Sequence, residues 1–386
     1  MRFLHLGDLH LGKSLLDFDL ISDQKYLLDQ IFDMIRTKKI DAVLIAGDIY
    51  DKSIPSEAAV RLFDSFIRRL AEEKILTFII SGNHDSEERL NFGSSLFELS
   101  DIYIAAKYEG VLYEKTVFDE EGEIHIWLLP FVKASVVRHY FPEEKIDSYE
   151  KAVRIVLEHA QIDRTKRNII LAHQFVTGEN LEEPELGGSE GLSVQSVGLI
   201  EKISYRCFDD FDYVALGHIH SPQRVGRDEV RYSGSLMKYS LREARRAKTL
   251  PVITMGKKGE IEIETVELKP LHDLRHIKGT MENLLKKENI VNPEDYIYVT
   301  LMDEDIITDA VGIFRQHYPN MVKLDYDNSH TQEIESIDFS KIGEKKEFPE
   351  LIADFYHQMY GCEISEEEQK IMREVAREAG VHYEAD

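Results

Sequence analysis

Phe3-Leu4-His5-Leu6-Gly7-Asp8-Leu9-His10 decides how the rest of the chain is read. An apolar run stops at a glycine and delivers an aspartate and a histidine two residues apart. On an extended backbone those two side chains point to the same side, so the stretch predicts a buried strand with a metal clamp at its carboxyl end. The pattern returns in Val43-Leu44-Ile45-Ala46-Gly47-Asp48, Phe78-Ile79-Ile80-Ser81-Gly82-Asn83-His84-Asp85, Ile169-Ile170-Leu171-Ala172-His173 and Tyr213-Val214-Ala215-Leu216-Gly217-His218-Ile219-His220. Each is a short apolar run that ends on a polar donor, as strands buried on both faces do in a parallel sheet.

The segments between these runs have helical spacing. Tyr26, Leu27, Ile31, Met34 and Ile35 predict a helix over about 22–38, and a second is expected from near Ser56 to Leu70. Strand, helix, strand is the grammar of right-handed parallel crossovers, which bring the carboxyl ends of the strands to one rim. From about Ile102 to Val132 the residues alternate and turn at Asp119-Glu120-Glu121-Gly122, predicting an antiparallel hairpin. A helix is expected over 148–160, an aperiodic acidic loop over 177–191, and closing strands at Pro251–Met255 and Glu260–Leu268. The loop reads either as a gate over the rim or as plain surface.

The pattern of strand-end donors stops after residue 270. Tyr296–Met302, Ile306–Tyr318 and Met321–Tyr326 predict a compact strand, helix, strand cap. An acidic linker from about Asp338 then leads to two helices, one ending at Gly361 and one opening on the capping box Ser365 with Glu368. Their apolar stripes suit an ordinary core and a docking surface for another protein equally well. The domains expected are 1–270, 271–337 and 338–386.

Composition narrows the class. No apolar run approaches the roughly 20 residues of a membrane span, and Asp8 comes too early for a cleavable signal peptide. Cys207 and Cys362 lie far apart and outside any CxxC pattern, so a reducing cytoplasm is expected, with no membrane partner. The formal net charge of −25 weighs against nucleic acid, whose binding depends on Lys and Arg. Between Arg224 and Lys248, however, eight basic residues stand against three acidic ones.

Asp8, His10, Asp48, Asn83, His173, His218 and His220 supply seven oxygen and nitrogen donors and no sulfur. With Asp48 bridging, seven side chains make eight bonds, four to each of two ions. Mixed imidazole and carboxylate shells suit Mn²⁺, Fe²⁺ or Zn²⁺ better than Ca²⁺ or Mg²⁺. Two divalent ions, two aspartates and a bridging hydroxide leave the shell at about +1, which attracts a phosphate. Hydrolysis of a phosphoester is the reaction expected. His84, next to Asn83, reads as the group that stabilises or protonates the leaving oxygen, with Asp85 orienting its ring, or else as a histidine that only shapes the site. A lone strand-end histidine is ordinarily a satisfied core residue, but five of the fifteen histidines share this position, whereas His5, His125 and His317 do not.

Gly7-Asp8-Leu9-His10, Gly47-Asp48-Ile49-Tyr50-Asp51, Gly82-Asn83-His84-Asp85, His173 and Gly217-His218-Ile219-His220 resemble the five signatures of the calcineurin-like metallophosphoesterases. Asp8-Leu9-His10-Leu11-Gly12-Lys13, Tyr232-Ser233-Gly234-Ser235 and the order of cap then helical tail resemble, more closely, the SbcD family of bacterial nuclease subunits. The resemblance implies an α/β fold, a four-layer αββα metallophosphoesterase sandwich with a small α/β capping domain and a C-terminal helical tail. It implies one ion on Asp8, His10, Asp48 and His220 and the other on Asp48, Asn83, His173 and His218. It further implies Mn²⁺-dependent, ATP-gated 3′-to-5′ exonuclease and single-strand endonuclease action on DNA. The implied partner is an SbcC-type ATPase bound by the C-terminal helices, with a homodimer inside a heterotetramer. Lys13, Arg89, Arg224, Arg227, Ser235 and Lys238 are candidate DNA contacts. Asp51 stands where other relatives carry a second histidine. Two other readings are a phosphoesterase of small phosphodiesters or phosphoproteins, and a DNA-end scaffold with a vestigial site.

Overall fold

A computed structural model of the chain describes residues 1–190 and 201–329, with scattered positions between 352 and 375. The first sheet contains β1 (Arg2–Leu6), β2 (Ala42–Ala46), β3 (Leu76–Ile80) and β4 (Ile102–Ala105), all parallel. The second contains β5 (Tyr113–Asp119), β6 (Gly122–Leu129), β7 (Arg167–His173), β8 (Tyr213–Gly217), β9 (Gln223–Val225) and β10 (Arg227–Tyr232), in the order β9-β10-β8-β7-β6-β5. The chain then returns to the first sheet through β11 (Thr249–Met255) and β12 (Ile261–Glu267), both antiparallel, for the order β12-β11-β1-β2-β3-β4.

Strand periodicity explains the layering. Phe3, Ala42, Leu44, Phe78 and Ile80 face Ile124, Ile126, Leu128, Ile169, Leu171, Tyr213 and Ala215 in one core between the sheets. The alternate residues Leu4, Leu6, Val43 and Ile45 face α1 (Ile21–Lys38) and α2 (Glu57–Glu72), whose Leu27, Ile31, Ile35, Phe66 and Leu70 share their core. On the far side, Ile170, Ala172, Val214 and Leu216 pack on α3 (Tyr149–His159) through Val153 and Val156. The result is the expected αββα sandwich. Side-chain caps set two of its helix starts: Ser56 Oγ accepts from Ala59 N at 3.2 Å and Ser148 Oγ from Lys151 N at 3.1 Å.

Three expectations are corrected. The alternating stretch from Ile102 divides between two sheets: only Tyr113–Asp119 and Gly122–Leu129 form the hairpin, while Ile102–Ala105 pairs parallel with β3. The cap carries a strand with no clear periodic signal, β13 (Leu274–Gly279), beside β14 (Tyr296–Leu301) and β15 (Met321–Tyr326) in a three-stranded sheet. Its helix, α4, covers only Ala310–Arg315, because the Asp309 side chain accepts from Gly312 N and starts it there; Ile306 is 84% exposed.

By compactness the chain divides into a unit of 1–276, 292–298 and 318–322 and another of 277–291, 299–317 and 323–386. The first unit thus takes in one end of each cap strand. Most of the two C-terminal helices and the linker from Asp338 lie outside the described residues. The capping box is within them: Ser365 N donates to Glu368 Oε2 at 3.0 Å and Glu368 N to Ser365 Oγ at 3.3 Å. Among the described residues no helix is long and apolar enough to cross a membrane.

Candidate metal centre

The parallel strands β1, β2 and β3 of one sheet and β7 and β8 of the other end on a common rim, where close-approach glycines let backbones meet. A Cβ on Gly217 would lie 1.9 Å from Ala46 O, and one on Gly82 would lie 2.1 Å from Asp48 Oδ1. The motifs need glycine at both positions whatever the dihedrals.

His173 reaches the rim as the last residue of β7, but four of the donors do not arrive on extended backbone. Asp8, His10, Asp48 and His218 have φ of 50°, 43°, 50° and 99°, all in the left-handed region that non-glycine residues seldom adopt. The expectation that Asp8 and His10 point together as alternate strand residues is therefore wrong in its cause. β1 ends at Leu6, and the loop is held by Asp8 N and His10 N donating to Gly47 O and Asp48 O, each at 3.0 Å. Gln24 supports it from α1, donating to His10 O at 2.8 Å and accepting from Gly12 N at 2.9 Å.

The seven expected donors come together. His10 Nε2 lies 2.9 Å from His220 Nε2 and 3.6 Å from Asp48 Oδ2. His173 Nε2 lies 3.4 Å from Asp48 Oδ2 and 3.2 Å from Asn83 Oδ1, which is 2.7 Å from His218 Nδ1. The carboxylate of Asp8 accepts from His218 N at 2.9 and 3.1 Å. Asp8, His10 and His220 form one group with ligand atoms within 4.8 Å of each other, and Asp8, Asp48 and His173 form a second.

This donor set fits divalent ions. His173 Nδ1 donates to Ala46 O at 2.7 Å, which turns Nε2 toward Asp48 as the nitrogen that would bind an ion once it gives up its proton. His10 Nδ1 is buried without a hydrogen-bond partner. Burial pushes the Asp8 carboxyl up to about 8, and burial holds His10 and His220 well below the ordinary imidazole value and His218 at about 3. Burial works against the charged forms of Asp48 and His173 as well. Their mutual attraction outweighs it, holding Asp48 well below the carboxylate range and raising His173 to about 9. A divalent cation held here would supply positive charge that favours the ionised form of Asp8.

His84 sits at the rim with its N–H donating to Asp48 Oδ1 at 2.9 Å. Its ring is not oriented by Asp85, as expected, but by Asp51, whose backbone oxygen accepts from Nδ1 at 2.8 Å. Asp85 is instead a clamp between two strand ends, accepting from Gly82 N, Ile49 N and Tyr50 N at 2.9, 3.1 and 3.0 Å. Asp51, to which the sequence alone assigns no role, belongs to the site. Its side chain lies 3.0 Å from Lys13 Nζ and 3.7 Å from His10 Nδ1, and it groups with His10 and His84.

The candidate DNA contacts are scattered. Lys13 lies at the rim, paired with Asp51, and Arg89 is exposed on the short helix Glu87–Asn91. Arg224 pairs with Asp228, and Arg227, at the opposite end of the second sheet from the rim, donates to Phe208 O and Phe211 O. Lys238 pairs with Asp273. Ser235 is buried, with its hydroxyl donating to Met237 O and accepting from Lys248, so it has no donor for a phosphate. With Arg231 on Asp228 O, Arg246 on Glu185 and Lys248 on Glu243, six of the eight basic groups between Arg224 and Lys248 are engaged within the fold.

Residues 1–222 match the family model of the calcineurin-like phosphoesterases. The chain belongs to that family. Residues 270–360 match a second model, described as a type 5 capsule protein repressor C-terminal domain. Over 371 residues the chain is 33% identical to the SbcD component of the nuclease SbcCD from Staphylococcus epidermidis, covering 95% of each, which places it in the SbcD branch of the phosphoesterases. Among solved structures it is similar to TT1561 of Thermus thermophilus, with 12% identity, a TM-score of 0.41 and coverage of 69% of this chain and 99% of that one. A dimetal phosphatase from Danio rerio gives 13% identity, a TM-score of 0.37 and coverage of 70% and 98%. As in other phosphoesterases, the arrangement is one for hydrolysing a phosphoester with divalent metal.

Proposed function

We propose that this phosphoesterase is the nuclease component of an SbcCD-like complex, cutting DNA phosphodiesters with two Mn²⁺ ions. The observation that carries the reading is the meeting of Asp8, His10, Asp48, Asn83, His173, His218 and His220 on one rim, in a chain that aligns along 95% of its length with a nuclease component. Asp8, His10, Asp48 and His220 would hold one ion and Asp48, Asn83, His173 and His218 the other, and the pair would supply a hydroxide at neutral pH and positive charge for the phosphoryl oxygens.

The chain's own residues do the rest. Asp48 keeps its charge against burial and serves both halves of the site. Asn83 Oδ1 adds a neutral oxygen donor on the His173 side. His84, its Nδ1 tied to Asp51 O, offers Nε2 as the atom that gives a proton to the leaving oxygen. Lys13 at the rim and the exposed Arg89 are the cations offered to the DNA backbone. The C-terminal helices bind an SbcC-type ATPase, which makes duplex cleavage ATP-dependent; the match of residues 270–360 to a C-terminal domain model supports that division of labour. The assembly is a homodimer of this chain within a heterotetramer, and its place is the cytoplasm.

A second reading, a phosphoesterase of small phosphodiesters or phosphoproteins, is favoured by the net charge of −25 and by the engagement of six of the eight basic groups of 224–248 within the fold. Mn²⁺-dependent degradation of end-labelled duplex DNA, run beside a chromogenic diester, separates them. Shortening of the duplex from its 3′ ends is expected. Turnover of the diester alone would overturn the nuclease reading.

A further inference from the structure

The loop expected over 177–191 is pinned along its described part to the segment 220–248. Gln223 bonds Glu185 through N and O, Arg246 pairs with the Glu185 carboxylate, and Ser240 donates to Gly187 O. At its end Glu190, 3% exposed, accepts from Gly187 N, Gly188 N and His220 N at 2.8, 2.6 and 3.1 Å. Ser189 Oγ then lies 2.7 Å from His220 Nδ1 and 2.5 Å from Glu243 Oε1.

The direction of these hydrogen bonds follows from donor counting. Lys248 Nζ, 5% exposed, reaches three acceptors: His220 O at 2.7 Å, Ser235 Oγ at 2.9 Å and Glu243 Oε2 at 2.5 Å. Ser235 must accept, since its own hydrogen goes to Met237 O. Three donated bonds need all three hydrogens of an ammonium, so Lys248 is charged and Glu243 is its carboxylate partner. A carboxylate only accepts, so Ser189 must donate its single hydrogen to Glu243. Its lone pairs then face His220 Nδ1, which must carry the ring hydrogen. His220 Nε2 is left bare, aimed at His10 and the ion site.

We propose that Lys248, Glu243 and Ser189 form a positioning relay that fixes the ligating tautomer of His220, so that binding of a divalent cation at His220 depends on the seating of Ser189. The relay rests on the two-ion reading for its consequence, though the tautomer itself does not. None of the three residues belongs to the seven expected ligands; they act only through His220.

Mn²⁺ titrated calorimetrically into the metal-free full-length chain is expected to show two binding events. In Ser189→Ala one event should weaken by about 10–100-fold while the other is unchanged, the range found for partners of metal-bound histidines. Ser189→Thr, which keeps the hydroxyl, should restore it. Nitrogen-15 histidine spectra of the metal-free chain supply the second readout: His220 protonated on Nδ1 in the native chain, and a mixture of tautomers in Ser189→Ala. Glu243→Gln, whose amide both donates and accepts, should give the same mixture. Equal Mn²⁺ affinities and an unchanged Nδ1 tautomer in Ser189→Ala would overturn the relay. Absence of Mn²⁺ binding by the native chain would refute the two-ion reading, while the tautomer comparison would still decide the relay.

Discussion

Gly217→Ala probes the contact on which the rim is built. Gly217 ends β8 beside Ala46 of β2, and a Cβ there would stand 1.9 Å from Ala46 O and 2.7 Å from His173 Nδ1. Ordinary contact begins near 3.4 Å, so the two strand ends must part by up to 1.5 Å, and neither obstacle is the end of a flexible side chain. Ala46 O is also the acceptor that sets the His173 tautomer, and Gly217 precedes His218, whose N–H holds Asp8. Overpacking of this kind costs about 1–3 kcal/mol in stability. A misplacement near 1 Å in the reacting groups costs on the order of 10²-fold in turnover. Urea unfolding and Mn²⁺-dependent hydrolysis of a chromogenic diester measure the two effects separately. A folded variant with native turnover would refute the argument that the sheets must touch here for the ligands to meet.

His84→Gln should keep both ions and DNA binding but lose turnover by about 10²–10⁴-fold, the usual contribution of a general acid; loss of metal, measured by atomic emission, would make His84 a ligand instead. Asp119 accepts from Arg167, Met1 and Glu121 N, and the Arg167 guanidinium holds its carboxyl below the ordinary carboxylate range. Its folded pKa is depressed, so its stabilisation is fully present above roughly pH 4 and is lost as the pH falls below that. Asp119→Asn should lower stability at pH 7 by about 2–3 kcal/mol, less than for a fully buried pair because Arg167 keeps three carbonyl acceptors. The gap between the urea midpoints of the native and Asn forms should begin to narrow below about pH 4 and go on closing as the pH falls further, and a gap that is constant with pH would exclude the carboxylate. Removal of the chain from about Asp338 onward should spare Mn²⁺-dependent cleavage of single strands and abolish co-purification with an SbcC-type ATPase.

The strands that carry the rim are legible in sequence because each is buried on both faces and ends abruptly on glycine or a donor. β1, β2, β3, β7 and β8 are the five apolar runs, and periodicity alone marks α1, α2 and α3. Sequence reasoning fails where a local pattern has two tertiary outcomes. Ile102–Ala105 and Tyr113–Asp119 read as one alternating stretch, yet they are edge strands of different sheets. Leu274–Gly279 is interrupted by Arg275, His276 and Lys278, which hides its alternation. At the site, residue types are readable but backbone geometry is not, since nothing in Gly-Asp announces a φ of 50° at Asp8 and Asp48.

The partners that orient ligands are the least legible. Asp85 lies next to His84 and adjacency alone makes it the natural orienting group, but it binds the backbone of Ile49 and Tyr50 instead. Ser189 and Glu243 serve His220 across separations of 31 residues between Ser189 and His220 and 54 between Ser189 and Glu243. Such contacts leave no periodic trace, and only the small and acidic run Gly187-Gly188-Ser189-Glu190 hints at a tight turn able to make them. The basic stretch from Arg224 misleads in the opposite way, because its charges are largely answered within the fold.

Anomalous diffraction from crystals grown with Mn²⁺ would decide whether donors from five strand ends hold a pair of ions. Two peaks roughly 3.5–4 Å apart are expected, bridged by Asp48, with His220 on one and His218 on the other. A single peak, or two peaks that share no ligand, would contradict that arrangement.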